Sequence, residues 1–218
     1  MLDHRIKYTL TIAHIMNVDP YLPGFKAYLP ELRRRAVLPA GNVSRDNRIG
    51  EYTWAVVISE TEDGDILISQ TVAQYFLRLT ECFLSAEQAA DIKVVRVAVV
   101  ACNSFVKIAV RSLNGYDPVK ICLETVTEQI KKYTDFKMIF IRYDENVQQY
   151  IKNSLYPCPE HAVGEVIYTK SDAKEQATVR VEEKYIPLCM GKKGTNVAAA
   201  SKLVKLKLNI KPIIKDTQ

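Results

Sequence analysis

The sequence predicts an α+β protein in which a small β-barrel precedes two similar α/β repeats. Over the first 69 residues, strand-forming residues alternate with polar ones in short segments separated by turn residues, a pattern typical of small barrels. Beyond residue 90, one order of elements occurs twice: two strands, a helical stretch and a third strand. Each repeat holds roughly 60 residues, few for an independent domain, so we expect the two to pack together.

The composition indicates a folded chain and excludes a membrane-spanning helix. Of 218 residues, 48% are hydrophobic and 25% are charged, and the net charge of +5 is compatible with a polyanionic partner. No apolar run approaches the roughly 18 residues that a membrane helix needs. The N-terminus carries charges and lacks the apolar core of a secretory signal, so we expect no membrane partner and no secretion.

The cysteines and histidines show no metal-binding spacing. The five cysteines form no CxxC pair and are expected to be reduced thiols in the core: Cys82, Cys102, Cys122, Cys158 and Cys189. The three histidines have no acid or nucleophile close by in the sequence: His4, His14 and His161. We therefore expect no metal, no cofactor and no small-molecule substrate.

Residues 1–70 are predicted to form the barrel. Alternating patterns favour strands at Arg5–Asn17, Glu51–Ser59 and Asp65–Ser69, with the turn EDGD before the last of these. The stretch 21–41 holds three prolines and two glycines, which leaves its strand register open. A connector helix is predicted over 71–90, where apolar residues fall at helical spacing: Val72, Phe76, Leu79 and Phe83.

The two repeats are predicted over 91–157 and 158–218. The first reads IKVVRVAVVA, SFVKIAVRS, DPVKICLETVTEQIKKY and FKMIFIRY, followed by the helical DENVQQYIKNSL. The second reads HAVGEVIYTK, QATVRVEE, KYIPLCMGKKGTNVAAASKLV and KLKLNIKPI. Two prolines in YPCPEH mark the boundary between them.

The stretch GKKG interrupts the helical pattern of the second repeat, and its residues allow two interpretations. One is a helix C-cap glycine followed by solvated lysines. The other is a clamp for a sugar–phosphate chain, because glycines permit close backbone approach while lysines and the N–H groups of a following helix attract phosphate. Two strands and a helix–GxxG–helix unit favour the second interpretation, a K-homology (KH) module. The clamp residues are then Gly191, Lys192, Lys193, Gly194, Thr195 and Asn196.

Three stretches resemble one known family. Residues 188–210 contain G-x-x-G-x-N-V-x-x-A-S-x-L, residues 107–123 contain K-I-A-V followed by D-P-V, and residues 66–83 read ILISQTVAQYFLRLTECF. Together these resemble NusA, the bacterial factor for transcription elongation, termination and antitermination. The resemblance implies an S1/OB-like barrel, two tandem prokaryotic-type (type II) KH domains, and single-stranded RNA and an RNA polymerase complex as partners.

The sequence departs from this family in its first KH module. Where the family has a second G-x-x-G, this chain reads Glu124-Thr125-Val126-Thr127. Side chains at the glycine positions and the charge of Glu124 oppose close phosphate approach, so we expect this module to have lost much of its RNA contact. The family's N-terminal polymerase-binding domain and acidic C-terminal repeats have no counterpart in this sequence either.

The barrel carries a second set of candidate RNA contacts. OB-type barrels stack bases on surface aromatic residues beside basic ones. The aromatic candidates are Tyr8, Phe25, Tyr28, Tyr52 and Trp54, although each of them by itself suits the barrel core. The basic candidates are Arg33, Arg34, Arg35, Arg45 and Arg48, and the arginine run at 33–35 is equally suited to a solvated loop or a polymerase contact.

We therefore expect an RNA-binding transcription factor without catalytic activity, placed in the bacterial cytoplasm at the nucleoid or in an organellar stroma or matrix. The alternative is a structural subunit of a transcription complex that uses a degenerate RNA-binding scaffold for protein contacts. An enzyme is disfavoured, because the carboxylate pairs Asp63–Asp65 and Glu182–Glu183 lie in a turn and at a strand end, with no predicted base or metal beside them.

Overall fold

The computed structural model describes residues 5–21, 23–171 and 174–213. The chain forms two compact units, one from residues within 1–90 and 121–137, the other from residues within 91–120 and 138–218. None of the helices in the described ranges has the length and apolar character needed to cross a membrane.

The first unit contains a closed five-stranded barrel with the strand order β1-β2-β3-β5-β4. Its strands are β1 (Leu10–Val18), β2 (Gly24–Leu29), β3 (Arg34–Pro39), β4 (Tyr52–Glu60) and β5 (Ile66–Ser69). Strand β3 pairs parallel with β5 and the other pairs are antiparallel, as in OB-like barrels. Alternate residues fill the barrel, among them Ala13, Ile15, Leu29, Leu38, Ile66 and Ile68.

The connector after the barrel consists of two helices, α1 (Ala73–Cys82) and α2 (Ala86–Asp91). Helix α1 buries Phe76 and Leu79, the residues whose spacing predicts it, together with Tyr75. The Tyr75 hydroxyl donates a hydrogen bond of 2.9 Å to the carbonyl of Tyr133, which belongs to the same unit.

A continuous helical run contains Glu124–Thr127, the stretch in which the sequence analysis expected no G-x-x-G loop. It comprises α3 (Pro118–Ile121), a π-helical turn (Cys122–Val126) and α4 (Thr127–Ile130). Ile121 and Thr127, on either side of the π turn, both have right-handed helical φ and ψ angles. The stretch Glu124–Thr127 therefore forms helix and offers no loop to a phosphate backbone.

The second unit contains two three-stranded sheets of the same strand order, in which the third strand pairs with the second strand of a preceding hairpin. The first sheet has β6 (Ile92–Val100), β7 (Phe105–Ser112) and β8 (Lys137–Arg142), and the second has β9 (Val163–Ser171), β10 (Lys174–Val181) and β11 (Lys207–Pro212). Strand β10 pairs antiparallel with β9 and parallel with β11. The helices are α5 (Val147–Ser154), α6 (Ile186–Met190) and α7 (Thr195–Val204).

Side chains from both repeats share one hydrophobic core in this unit, as expected for segments of their size. Helix α7 lies against β6, where the Arg96 guanidinium donates to the Leu203 carbonyl at 2.8 Å and Lys202 Nζ donates to the Val99 carbonyl at 2.8 Å. Members of the core include Ala98, Ala109, Val179, Cys189, Ala199 and Leu203.

The cysteines only partly fit the expectation of core thiols. Cys122, Cys158 and Cys189 are buried and unpaired, whereas Cys82 and Cys102 are exposed. Cys82 lies at the end of α1 and Cys102 in the turn after β6. Both are exposed although each has a hydrophobic neighbour in the sequence.

Candidate nucleic-acid interface

The GKKG loop, residues 191–194, joins α6 to α7 through a backbone with three positive φ angles. Gly191 and Gly194 have φ angles of +71° and +72°, and Lys193 also lies in the left-handed region at +53°. A Cβ atom on Gly191 would come within 2.8 Å of the Asn196 Cβ atom. The first glycine is therefore required by both its backbone conformation and its close approach to α7.

The two lysines of the loop are exposed and stand directly before the N-terminus of α7. No side chain caps this terminus, and Gly194 at the cap position has none to offer. The positive end of the α7 dipole and the charges of Lys192 and Lys193 therefore act at the same place, which favours an anionic ligand.

Thr195 and Asn196 use their donors inside the protein. The N–H and hydroxyl of Thr195 both donate to the Lys192 carbonyl, the hydroxyl at 2.7 Å. The Asn196 side chain is buried and donates from Nδ2 to the carbonyls of Leu155 at 3.0 Å and Cys189 at 2.9 Å. These contacts give the two side chains a part in holding the loop, and their direct contact with RNA stays a prediction.

The turn between β6 and β7 of the first repeat contacts the start of α7, directly after the GKKG loop. Asn103 Nδ2 donates to the hydroxyl of Thr195, the first residue of α7. Residues 101–104 are all exposed. This contact could not be predicted from the sequence, because nothing in local sequence reports which part of the chain a turn will face.

On the barrel, the predicted arginine run is largely engaged by carboxylates. Arg34 pairs with Glu60 and also donates to the Gly64 carbonyl at 2.6 Å, and Arg35 pairs with Asp65 at 3.0 Å. Arg33 is exposed and holds a positive φ angle of 51° in the turn before β3. Such pairing lowers the net positive potential that Arg34 and Arg35 offer to RNA.

The other two candidate arginines lie between β3 and β4. Arg45 forms an ion pair with Glu51, and its guanidinium also donates to the Lys132 carbonyl at 3.0 Å. Arg48 is exposed. The partial burial of Arg45 and its bond to the segment after α4 point to a role in the packing of the first unit.

An aromatic row, defined here as Tyr28, His14 and Tyr52, crosses three adjacent barrel strands on their outer side. His14 on β1 is in register with Tyr28 on β2 and with Tyr52 on β4. The His14 and Tyr52 rings stack with centroids 4.6 Å apart and an interplanar angle of 15°. Tyr52 is 61% exposed and Tyr28 37% exposed, so the row presents ring faces and edges to solvent.

The remaining aromatic candidates are less accessible. Phe25 packs against the barrel core, and Tyr8 and Trp54 are half-buried. His14 was missed by the sequence analysis, although the alternation of β1 places it outside: Thr11, Ala13 and Ile15 are buried on the opposite side. That alternation is the signal that could have revealed it.

One member of each carboxylate pair considered for catalysis forms an ion pair. Asp65 binds Arg35, and Glu182 lies 3.2 Å from Lys184 Nζ. Within residues 5–21, 23–171 and 174–213, no three His, Cys, Asp or Glu side chains are grouped so as to hold a metal ion.

Comparison with known proteins gives one family match, to the part of the chain that carries the GKKG loop. Residues 147–218 match the model of the NusA-like second KH domain. The chain thus has a KH domain at its C-terminus, which consists of α5, the second sheet, α6, the GKKG loop and α7. The match takes in α5, a helix that the repeat pattern places in the first repeat. Within this domain β10 pairs parallel with β11 and antiparallel with β9.

Two solved structures show more distant likeness. APE1850 is 15% identical, over 63% of this chain and 96% of its own, with a TM-score of 0.46. A multidomain protein with nucleic acid binding domains from Streptococcus pneumoniae TIGR4 is 16% identical, over 58% of this chain and 40% of its own, with a TM-score of 0.28. No curated protein matches the sequence.

Proposed function

We propose that this chain is an RNA-binding transcription factor of the NusA type, which holds single-stranded RNA at an RNA polymerase complex and catalyses no reaction. The observation that carries the proposal is the GKKG loop: two glycines at positive φ and two exposed lysines at the uncapped start of α7, inside a NusA-like KH domain. KH domains use such a loop to clamp about four nucleotides by their backbone.

In this proposal the loop supplies affinity by electrostatics and close approach. Gly194 lets the RNA backbone lie against the loop without a Cβ atom in the way, Gly191 lets the loop pack closely against α7, and Lys192 and Lys193 neutralise phosphates. Each neutralised phosphate releases counterions, so binding weakens as salt rises. The aromatic row of the barrel adds a sequence-tolerant stacking surface for a second stretch of RNA.

The first repeat is proposed to be a KH module that has lost its own clamp. Its sheet has the same strand order as the sheet of the matched KH domain, and a helical run lies between its second and third strands. That run is helical where an RNA-binding KH module has a glycine loop, so this module supports the structure and does not clamp RNA. A role in pausing, termination or antitermination, and a place at the nucleoid or in an organelle, follow from the NusA resemblance.

The second candidate function is a structural subunit that binds proteins of a transcription complex. Two observations favour it: the helical π turn in place of the first clamp, and the carboxylate partners of Arg34 and Arg35. Under this alternative the chain binds RNA weakly, and charge reversal in the GKKG loop changes little.

The deciding experiment is a fluorescence titration of a single-stranded RNA of about ten nucleotides at two salt concentrations. The test variant is Lys192→Asp with Lys193→Asp. The matched control is Lys131→Asp with Lys132→Asp, an exposed lysine pair of the first unit that gives the same change in net charge.

We expect the loop variant to lose at least about tenfold in affinity and part of the salt slope, because each lost phosphate contact lowers that slope by about 0.7. The control variant should keep both within a small factor. Equal affinities for wild type and the folded loop variant would reject the clamp and favour the protein-binding alternative.

A further inference from the structure

Three consecutive carbonyl groups at the end of α5 are held by two buried side chains from other elements. Lys107 Nζ donates to the carbonyls of Ser154 and Tyr156, the latter at 2.8 Å. Asn196 Nδ2 donates to the carbonyl between them, that of Leu155, at 3.0 Å. The last carbonyls of a helix have no partner within the helix, and Lys107 satisfies those of Ser154 and Tyr156, whereas the Leu155 carbonyl also accepts the Cys158 backbone N–H at 3.0 Å.

Lys107 is an unusual residue for this position. It lies on β7 in the first repeat, outside the matched KH domain, and its exposure is 0%. Burial of an ammonium group is costly unless hydrogen bonds compensate it, and the C-terminal end of a helix offers a favourable dipole for a cation. The Lys107 ammonium group is therefore stabilised by its hydrogen bonds to the carbonyls at the end of α5.

Asn196 connects the same turn to the GKKG loop. Besides Leu155, its Nδ2 atom donates to the carbonyl of Cys189, two residues before Gly191. Its Cβ and backbone N face Gly191 so closely that no side chain fits there. The loop, Asn196 and the end of α5 thus form one connected set of contacts. Lys107 binds the end of α5, the part of this set that is farthest from the loop.

We propose that Lys107 is a positioning residue for the GKKG loop, so that a strand of the first repeat sets the geometry of the RNA clamp in the second. The inference rests on the proposed function and adds a role for the first repeat, whose own clamp is replaced by helix. Without the Lys107 donors, the carbonyls of Ser154 and Tyr156 must turn toward other donors. The Leu155 carbonyl between them moves as well, and Asn196 Nδ2 then loses its hydrogen bond to that carbonyl.

The test variant is Lys107→Met, which keeps the length of the side chain and removes its donors. The matched control is Asp91→Asn, a change to another buried charged residue of the same unit. The Asp91 carboxylate accepts bonds from the Ser112 hydroxyl and from the backbone N–H groups of Leu113 at 2.8 Å and Asn114 at 2.7 Å. None of these partners touches the GKKG loop in the bonds described above.

Both variants should unfold at lower denaturant concentration than wild type, but only Lys107→Met should bind the ten-nucleotide RNA about tenfold more weakly. Its salt slope should stay that of wild type, because Lys107 contacts no phosphate, whereas the Lys192→Asp, Lys193→Asp variant reduces the slope. A loss of affinity that Asp91→Asn shares to the same extent would mark Lys107 as merely structural and overturn the proposal.

A double-mutant cycle provides a second test. Lys107→Met and Asn196→Ala should together cost clearly less affinity than the product of their separate effects, since both break one set of contacts. Asp91→Asn and Asn196→Ala should combine multiplicatively. If the effects of Lys107→Met and Asn196→Ala multiply fully, the two residues act on the loop independently, which contradicts the proposal.

The outcomes separate this inference from the proposed function. If wild type fails to bind RNA, the proposed function falls and the inference with it. If wild type binds and folded Lys107→Met binds equally well, only the inference is wrong. Should Lys107→Met not fold, amide hydrogen exchange of the wild type decides: bound RNA must slow exchange at the end of α5, around Leu155 to Cys158, and unchanged exchange there overturns the proposal.

Discussion

A side chain at position 191 would meet α7, because the Cβ atom of an alanine there lies 2.8 Å from the Asn196 Cβ atom and 3.0 Å from the Asn196 backbone N. We expect Gly191→Ala to lower the free energy of unfolding by about 2–3 kcal/mol, from the clash and the positive φ together, and to weaken RNA binding. Urea denaturation followed by RNA titration checks both effects.

Gly194 provides the matched comparison. It has nearly the same φ angle, but an added Cβ atom finds open space around it. Gly194→Ala should therefore cost only the backbone strain of about 1 kcal/mol. Equal losses of stability for the two variants would show that strain alone, and not contact with Asn196, constrains the loop.

Lys107 should make the stability of the protein depend on pH above neutrality. Burial lowers the pKa of Lys107 to about 7 from its ordinary value of 10.5. Between these two values the unfolded chain binds a proton that the folded chain does not, so the free energy of unfolding rises with pH by up to about 1.4 kcal/mol per unit. Below pH 7 this contribution is constant, because lysine is then protonated in both states.

The measurement is urea denaturation of wild type and Lys107→Met at intervals from pH 6 to pH 10. The difference between their unfolding free energies should grow in favour of wild type above pH 7. Parallel pH profiles for the two proteins would mean that Lys107 keeps its charge at an ordinary pKa in the folded state.

At the scale of the element, the outer side of β1, β2 and β4 is the part of the barrel best suited to single-stranded RNA. Tyr52→Ala should weaken RNA binding by about fivefold to tenfold, since stacking of one base on an aromatic ring contributes about 1–3 kcal/mol and solvent screens part of the loss. Tyr21→Ala is the control, because Tyr21 is 88% exposed and lies outside the aromatic row. Fluorescence titration distinguishes the two, and an equal effect of both would exclude the row as a specific site.

The helical run from Pro118 to Ile130 is held in place by its buried side chains. Cys122, Val126 and Ile130 are all fully buried, so one side of the run is fixed by packing. The π turn accommodates the stretch between them without the glycines that a loop would need. The sequence analysis expected no glycine loop at Glu124–Thr127, and the structure has helix there. The π turn was not predicted, because the backbone register of a helix adjusts to its packing.

For the whole molecule, the shared core of the second unit predicts that its KH domain depends on the first repeat. A fragment of residues 147–218 lacks β6 and β7, which contribute Ala98 and Ala109 to the common core. Its NMR spectrum should show poor chemical-shift dispersion, and it should bind RNA more weakly than the full chain. A well-dispersed spectrum with full affinity would establish the fragment as an independent domain and would also weigh against a role for Lys107.

The sequence by itself determined those features that depend on neighbours along the chain. Alternation of apolar and polar residues predicted β1, β4, β5 and the strands of both repeats, and helical spacing predicted α1 with Phe76 and Leu79 inside. Strands β2 and β3 lie within 21–41, where the sequence left the register open. The glycines and lysines of the GKKG loop were identified correctly as a break between two helices, because positive φ angles and helix termini are properties of a few consecutive residues.

Only the tertiary structure decided which side chains meet across long stretches of sequence. Strand register brings His14 beside Tyr52 and places Arg35 beside Asp65, and neither pairing is visible in local patterns. The burial of Lys107 and Asn196 at the end of α5 likewise arises from three segments that are far apart in the chain. Hydrogen bonds and burial depend on distance in space, so residues with polar side chains gained roles inside the protein that their chemistry alone would have assigned to its surface.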